Sequence, residues 1–91
     1  MALTPLRFIG IDPDTGQEGS PTVWFDATKQ EIVLQGWEAG AELTAQCADT
    51  YVPGHAVGIP DGETVIRFPA RMAPILREAC DVAERTAAQL C

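Results

Sequence analysis

From Met72 to Leu90 apolar residues recur at helical spacing, and no proline or glycine after Pro74 interrupts them. Met72, Leu76, Ala79, Cys80, Ala83, Ala87 and Leu90 fall on one face, widened by Ile75 and Val82. Arg77, Asp81 and Arg85 follow one another at i, i+4 spacing on the opposite side, where charges of alternating sign suit solvent. Pro74 lacks an N–H and is tolerated only in a first turn, so regular helix begins near Arg71 to Ala73. A helix with one apolar face has to bury it against another element. The remainder of the chain offers mostly strands for that purpose, which fixes the class as α+β.

Leu6–Ile11 reads as a strand, ended by the turn residues Asp12-Pro13-Asp14-Thr15-Gly16. Thr22–Asp26 and Glu31–Trp37 read as a hairpin joined by Ala27–Gln30. Alanines at 39, 41, 45 and 48 predict a short helix over Ala41–Asp49. Residues 51–62 are rich in proline and glycine and form a loop. Thr64–Phe68 is a fourth strand, stopped by Pro69. The order is β-β-β-α-β-α. It predicts a small, mainly antiparallel sheet of about four strands with the long helix packed on one face. The length of 91 residues predicts a single domain, 1–91.

The hairpin carries a further constraint. Val23 and Phe25 point to one side of their strand, Trp24 and Asp26 to the other. If Asp26 pairs with Glu31 across the turn, Phe25 meets Ile32 and Trp24 meets Val33. Ile32 and Leu34 then share one face, and Val33 and Trp37 the opposite one. Both faces are apolar, yet one helix covers only one face of a sheet. The second face needs the short helix, a second copy of the chain, or another protein. Trp24, Val33 and Trp37 are its candidate contact residues, since tryptophan is favoured as an interface anchor.

Composition narrows the chemistry. The net charge of −7 opposes direct binding to nucleic acid, which calls for a cationic footprint. Ten acids stand against Lys29 alone over residues 12–63. No run of residues approaches a membrane span, and the N-terminal residues lack the pattern of a secretory signal, so the cytoplasm is the expected compartment. Cys47, Cys80 and Cys91 include no CxxC pair, and no disulfide, metal site or cofactor is expected. Asp12-x-Asp14-x-Gly16 lacks the glycine and glutamate positions of a calcium loop. His55 is the sole histidine, and no local pattern pairs it with Cys47 or Cys80 as a nucleophile. No catalytic residue is identified and an enzyme is not expected. Arg67 and Arg71 flank Pro69 at the entry to the long helix, where an anion is favoured.

Three stretches taken together carry a resemblance: Phe8-Ile9-Gly10-Ile11-Asp12-Pro13-Asp14, Ile32-Val33-Leu34-Gln35-Gly36-Trp37, and Glu63 to Met72. With these spacings the chain resembles a group of small, uncharacterised actinobacterial proteins often encoded beside helix-turn-helix regulators, loosely BldB-like. The resemblance implies an accessory role in transcription regulation and brings no functional residues with it. The function expected is a cytosolic protein-interaction module, an accessory to a DNA-binding regulator, with a homodimer as the simplest partnership. The alternative is a small-molecule or anion binder using Arg67, Arg71 and the loop around His55.

Overall fold

The computed structural model describes residues 6–14 and 20–90, with side chains as far as residue 87. The chain divides into two compact units, one of Met1–Gly36 with Phe68–Cys91, the other of Trp37–Arg67. The fold class is α+β, as the sequence implies.

The first unit holds a three-stranded antiparallel sheet in the order β1-β2-β3, built from β1 (Leu6–Ile11), β2 (Thr22–Asp26) and β3 (Glu31–Gln35). The hairpin register is the expected one: Asp26 pairs with Glu31, Phe25 with Ile32 and Trp24 with Val33. Its turn is closed by the Asp26 carboxylate, which accepts the backbone N–H groups of Thr28 and Lys29. Gln30 completes the turn with φ of 56°, in the left-handed region. After Phe68 and Pro69, a 3-10 turn over Ala70–Met72 leads into the long helix, Ala73–Leu90. Pro74 sits in the first turn of this helix, where its missing N–H costs nothing.

The long helix packs on the sheet, chiefly against β1 and β2. Val23, Met72 and Ala79 form the centre of the core, with Ile9, Phe68, Ile75 and Leu76 packed around them. Phe25 and Val82 are buried as well. Each large apolar side chain in such a core contributes about 1.5–3 kcal/mol. The helix face differs from the expected one in its rotation. Its buried line runs through Met72, Ala79 and Val82, while Leu76 is half-buried and Cys80 and Ala87 are exposed. Cys80 lies about 100° around the helix from the buried Ala79, which carries it off the core. The β-branched Ile75 and Val82, expected only to widen the face, lie nearer its middle. Arg77, Asp81 and Arg85 are exposed as expected. The side chain of Leu90 lies outside the described residues.

One position lets the helix approach. Strand β1 carries a bulge between Phe8 and Gly10, so that Gly10 pairs with Val23 while Phe8 pairs with Trp24. A Cβ on Gly10 would stand 2.7 Å from Cγ2 of Ile75. The absence of a side chain at residue 10 is therefore a packing requirement.

The second unit contains β4 (Trp37–Glu38), α1 (Ala41–Asp49) and β5 (Ile66–Arg67), with β4 and β5 paired antiparallel. Helix α1 occupies the expected span and buries no residue. The residue pattern places Trp37 in the third strand and gives the fourth strand five residues, Thr64–Phe68. In the structure the third strand stops at Gln35, and Gly36 separates it from the short β4. A glycine within a strand weakens it, having no side chain to pack. The fourth strand is reduced to Ile66–Arg67, and it pairs with β4 rather than joining the three-stranded sheet. The long helix is α2 below.

Gly10→Ala is expected to lower stability by about 1–3 kcal/mol through overpacking against Ile75. Urea unfolding measures it, and an unchanged midpoint would contradict the close packing of α2 on β1.

Candidate interaction surface

Alternation along β2 puts Val23 and Phe25 toward α2 and Trp24 on the opposite side. Cross-strand pairing places Phe8 and Val33 on either side of Trp24 in one row. The Phe8 ring meets the Trp24 ring edge-on, with centroids 5.8 Å apart and planes at 74°. Phe8 is 53% exposed, Trp24 and Val33 are half-buried, and Leu6 and Ile11 are exposed beside them on β1. The face of the sheet turned away from α2 thus carries an aromatic and aliphatic row open to solvent. One acidic pair, Asp26 and Glu31, lies across the end of that row.

Two of the three expected contact residues, Trp24 and Val33, belong to this row. Trp37 does not share it, because the break at Gly36 moves it onto β4 in the second unit. There it underlies Arg67, whose guanidinium carbon sits 5.3 Å from the ring centroid. Such a cation–π contact is worth roughly 0.5–1 kcal/mol at an exposed site. Phe8 takes the third place in the row. Its role depends on the β1 register, and the bulge conceals that register from simple alternation.

Arg67 and Arg71 are each committed within their own unit. Arg67 Nε donates to the Glu38 backbone carbonyl at 3.1 Å, which ties β5 to β4. Arg71 spans Asp12 with a two-pronged contact, Nε to Oδ1 and Nη2 to Oδ2, both 2.7 Å. The Asp12 side chain is fully buried, whereas that of Arg71 is 43% exposed. Asp12 Oδ1 also accepts the Asp14 backbone N–H, and the Asp12 N–H donates to the Pro21 carbonyl. The turn after β1 is thereby locked to β2 and to the residues that begin α2. The carboxylate in Asp12-x-Asp14 serves this turn and this ion pair.

The hydrogen bonds from Arg71 hold the Asp12 carboxyl below its ordinary value. Burial pushes the other way and is outweighed; the Asp14 N–H and the Arg71 charge add to the lowering. Asp12 in turn holds the Arg71 guanidinium above its usual value.

His55 lies on the loop of the second unit, where it lines an open recess of about 450 Å³ together with Val57, Ile59, Pro60 and Glu63. Neither Arg67 nor Arg71 lines that recess. Cys47 and Cys80 are exposed thiols. Helical spacing puts Cys80 on the apolar face, and the rotation of that face places it outside. No helix among the described residues is long and apolar enough to cross a membrane. No protein-family model, curated protein or solved structure matches this chain.

The depressed pKa of Asp12 gives its ion pair a signed pH dependence. Its stabilising contribution is complete above the unfolded value, near 3.8, and is lost as the pH falls through the lower folded value. Asp12→Asn is therefore expected to start from a lower melting temperature at neutral pH and to lose less than wild type on acidification. Arg71→Ala should lower the melting temperature far more than Arg77→Ala, because it strands a buried carboxylate. Thermal melts of the four proteins from neutral to acid pH measure this. Parallel acid declines in wild type and Asp12→Asn would contradict it.

Proposed function

We propose that this chain is a protein-interaction module, acting in the cytoplasm as an accessory to a DNA-binding regulator. The observation that carries the reading is the row of Phe8, Trp24 and Val33 on the face of the sheet away from α2, exposed at Phe8 and half-buried at the other two. Exposed aromatic residues are costly to leave in water and are favoured as anchors at interfaces. The acidic chain, with a net charge of −7, directs the choice of partner. It repels DNA and favours a protein that carries a basic surface, as DNA-binding regulators do. The row supplies affinity, and the Asp26 and Glu31 carboxylates at its end supply attraction and orientation. No catalytic step is assigned to the chain. The resemblance to small proteins encoded beside helix-turn-helix regulators points the same way.

Capture from native lysate with wild-type and Phe8→Ser baits tests the reading. Phe8 is more than half exposed, so its replacement spares the core. A DNA-binding protein retained by wild type should be held about thirtyfold more weakly by Phe8→Ser, the loss of one anchor of roughly 2 kcal/mol. Its binding should also weaken with added salt, and its affinity for DNA should change when the module is added. Equal retention by both baits would refute the role of the face. A captured protein without DNA-binding activity would refute the regulator as partner.

A further inference from the structure

The three-stranded sheet has two outer strands, β1 and β3, and among the described residues neither pairs with a further strand. An outer strand presents unpaired N–H and C=O groups that template another chain, and proteins guard such edges with lysine, proline or a bulge. Strand β1 is guarded by the bulge between Phe8 and Gly10. Strand β3 is not. Its five residues hold an unbroken register against β2 and include neither lysine nor proline. Ile32 and Leu34, on the same side as Phe25 and Val23, remain 39% and 45% exposed although α2 packs on that side.

We infer that β3 pairs antiparallel with β3 of a second copy of this chain, about a two-fold axis through Val33. The order Glu31-Ile32-Val33-Leu34-Gln35 selects a second copy as the occupant. About that axis Val33 meets its own counterpart, Ile32 meets Leu34, and Glu31 meets Gln35. Every apolar residue opposes an apolar one, and the strand's one charged residue opposes the Gln35 amide, whose Nε2 gives one hydrogen to the Ser20 carbonyl and has a second to give to a carboxylate. Within the paired strands no like charges face each other, which matters for two chains of net charge −7. Centred on Ile32, the pairing would set Glu31 against Val33; centred on Leu34, it would set Gln35 against Val33. Both set polar against apolar. The contact is isologous and closes at two copies. It makes one six-stranded sheet, in which the two rows of Phe8, Trp24 and Val33 meet end to end.

This edge is distinct from the face that Phe8 and Trp24 form, and the two are separable by substitution. Sedimentation equilibrium of the full chain across a wide concentration range provides the test. Wild type is expected to show a monomer–dimer equilibrium. Gln35→Glu sets two carboxylates against each other at both ends of the pairing and should raise the dimer Kd about tenfold. Adding Glu31→Lys to Gln35→Glu restores opposite charges and should recover the wild-type Kd or better. Gln35→Lys alone should tighten the dimer. Phe8→Ser, which alters the face and not the edge, should leave the Kd unchanged. Circular dichroism of each variant shows that the monomer fold is kept. A wild type that stays monomeric throughout would overturn the inference. So would a dimer indifferent to Gln35→Glu, one that the double variant fails to restore, or one dispersed by Phe8→Ser.

Discussion

The seating of α2 on strands β1 and β2 is the contact on which the rest of the first unit depends. Three features fix it. Met72, Ala79 and Val82 bury one line of the helix, with Met72 and Ala79 joining Val23 at the centre of the core. Gly10 admits Ile75 where any side chain on the strand would collide with it. Arg71, at the entry to the helix, grips the buried carboxylate of Asp12 just past the end of β1. Burial provides the driving force. The glycine and the ion pair provide position, because an ion pair with a buried carboxylate returns little net stability beyond what that group's desolvation takes. The helix is thus held along its axis by a charge and across the sheet by a missing methyl group.

Once the helix is seated, the character of the remaining surface follows. One helix shields one face of a three-stranded sheet, and β2 alternates apolar residues on both. Val23 and Phe25 vanish beneath α2, and Trp24 is left on the other side with Phe8 and Val33. The bulge in β1 is what brings Phe8 there. It inserts one residue between Phe8 and Gly10, so that Ile9 and Gly10 serve the helix side while Phe8 turns to the aromatic row. A single backbone irregularity therefore serves both faces. It opens space for Ile75 on one and supplies an aromatic ring to the other, and it also makes β1 a poor edge for further pairing.

Much of this was legible in the residues, and the limits have identifiable causes. The hairpin register follows from Asp26 and Glu31 bracketing the turn, since a slip by one residue would expose Val23 and Phe25. The span of α1 follows from its alanines, and the start of α2 from Pro74. The rotation of α2 is less legible, because Ala79, Cys80 and Ala83 are small residues that weight a helix face weakly. The larger Ile75 and Val82 decided it. Gly36 offered the signal for the break that separates Trp37 from Val33, yet glycine is also tolerated inside strands. The pairing of Asp12 with Arg71 spans 59 residues, and no local pattern marks such a contact. Phe8 could be placed only through the bulge, for which Gly10 was the one available sign.

The sheet has one face covered by α2 over β1 and β2 and the opposite face open at Phe8, Leu6 and Ile11. Solvent paramagnetic relaxation in NMR, using a soluble neutral paramagnetic agent, reads both faces in a single experiment. Strong enhancement is expected for the ring protons of Phe8 and the methyl groups of Leu6 and Ile11, with intermediate values at Trp24 and Val33. Weak enhancement is expected for Val23, Phe25 and Val82. Comparable protection of Phe8 and Phe25 would contradict it.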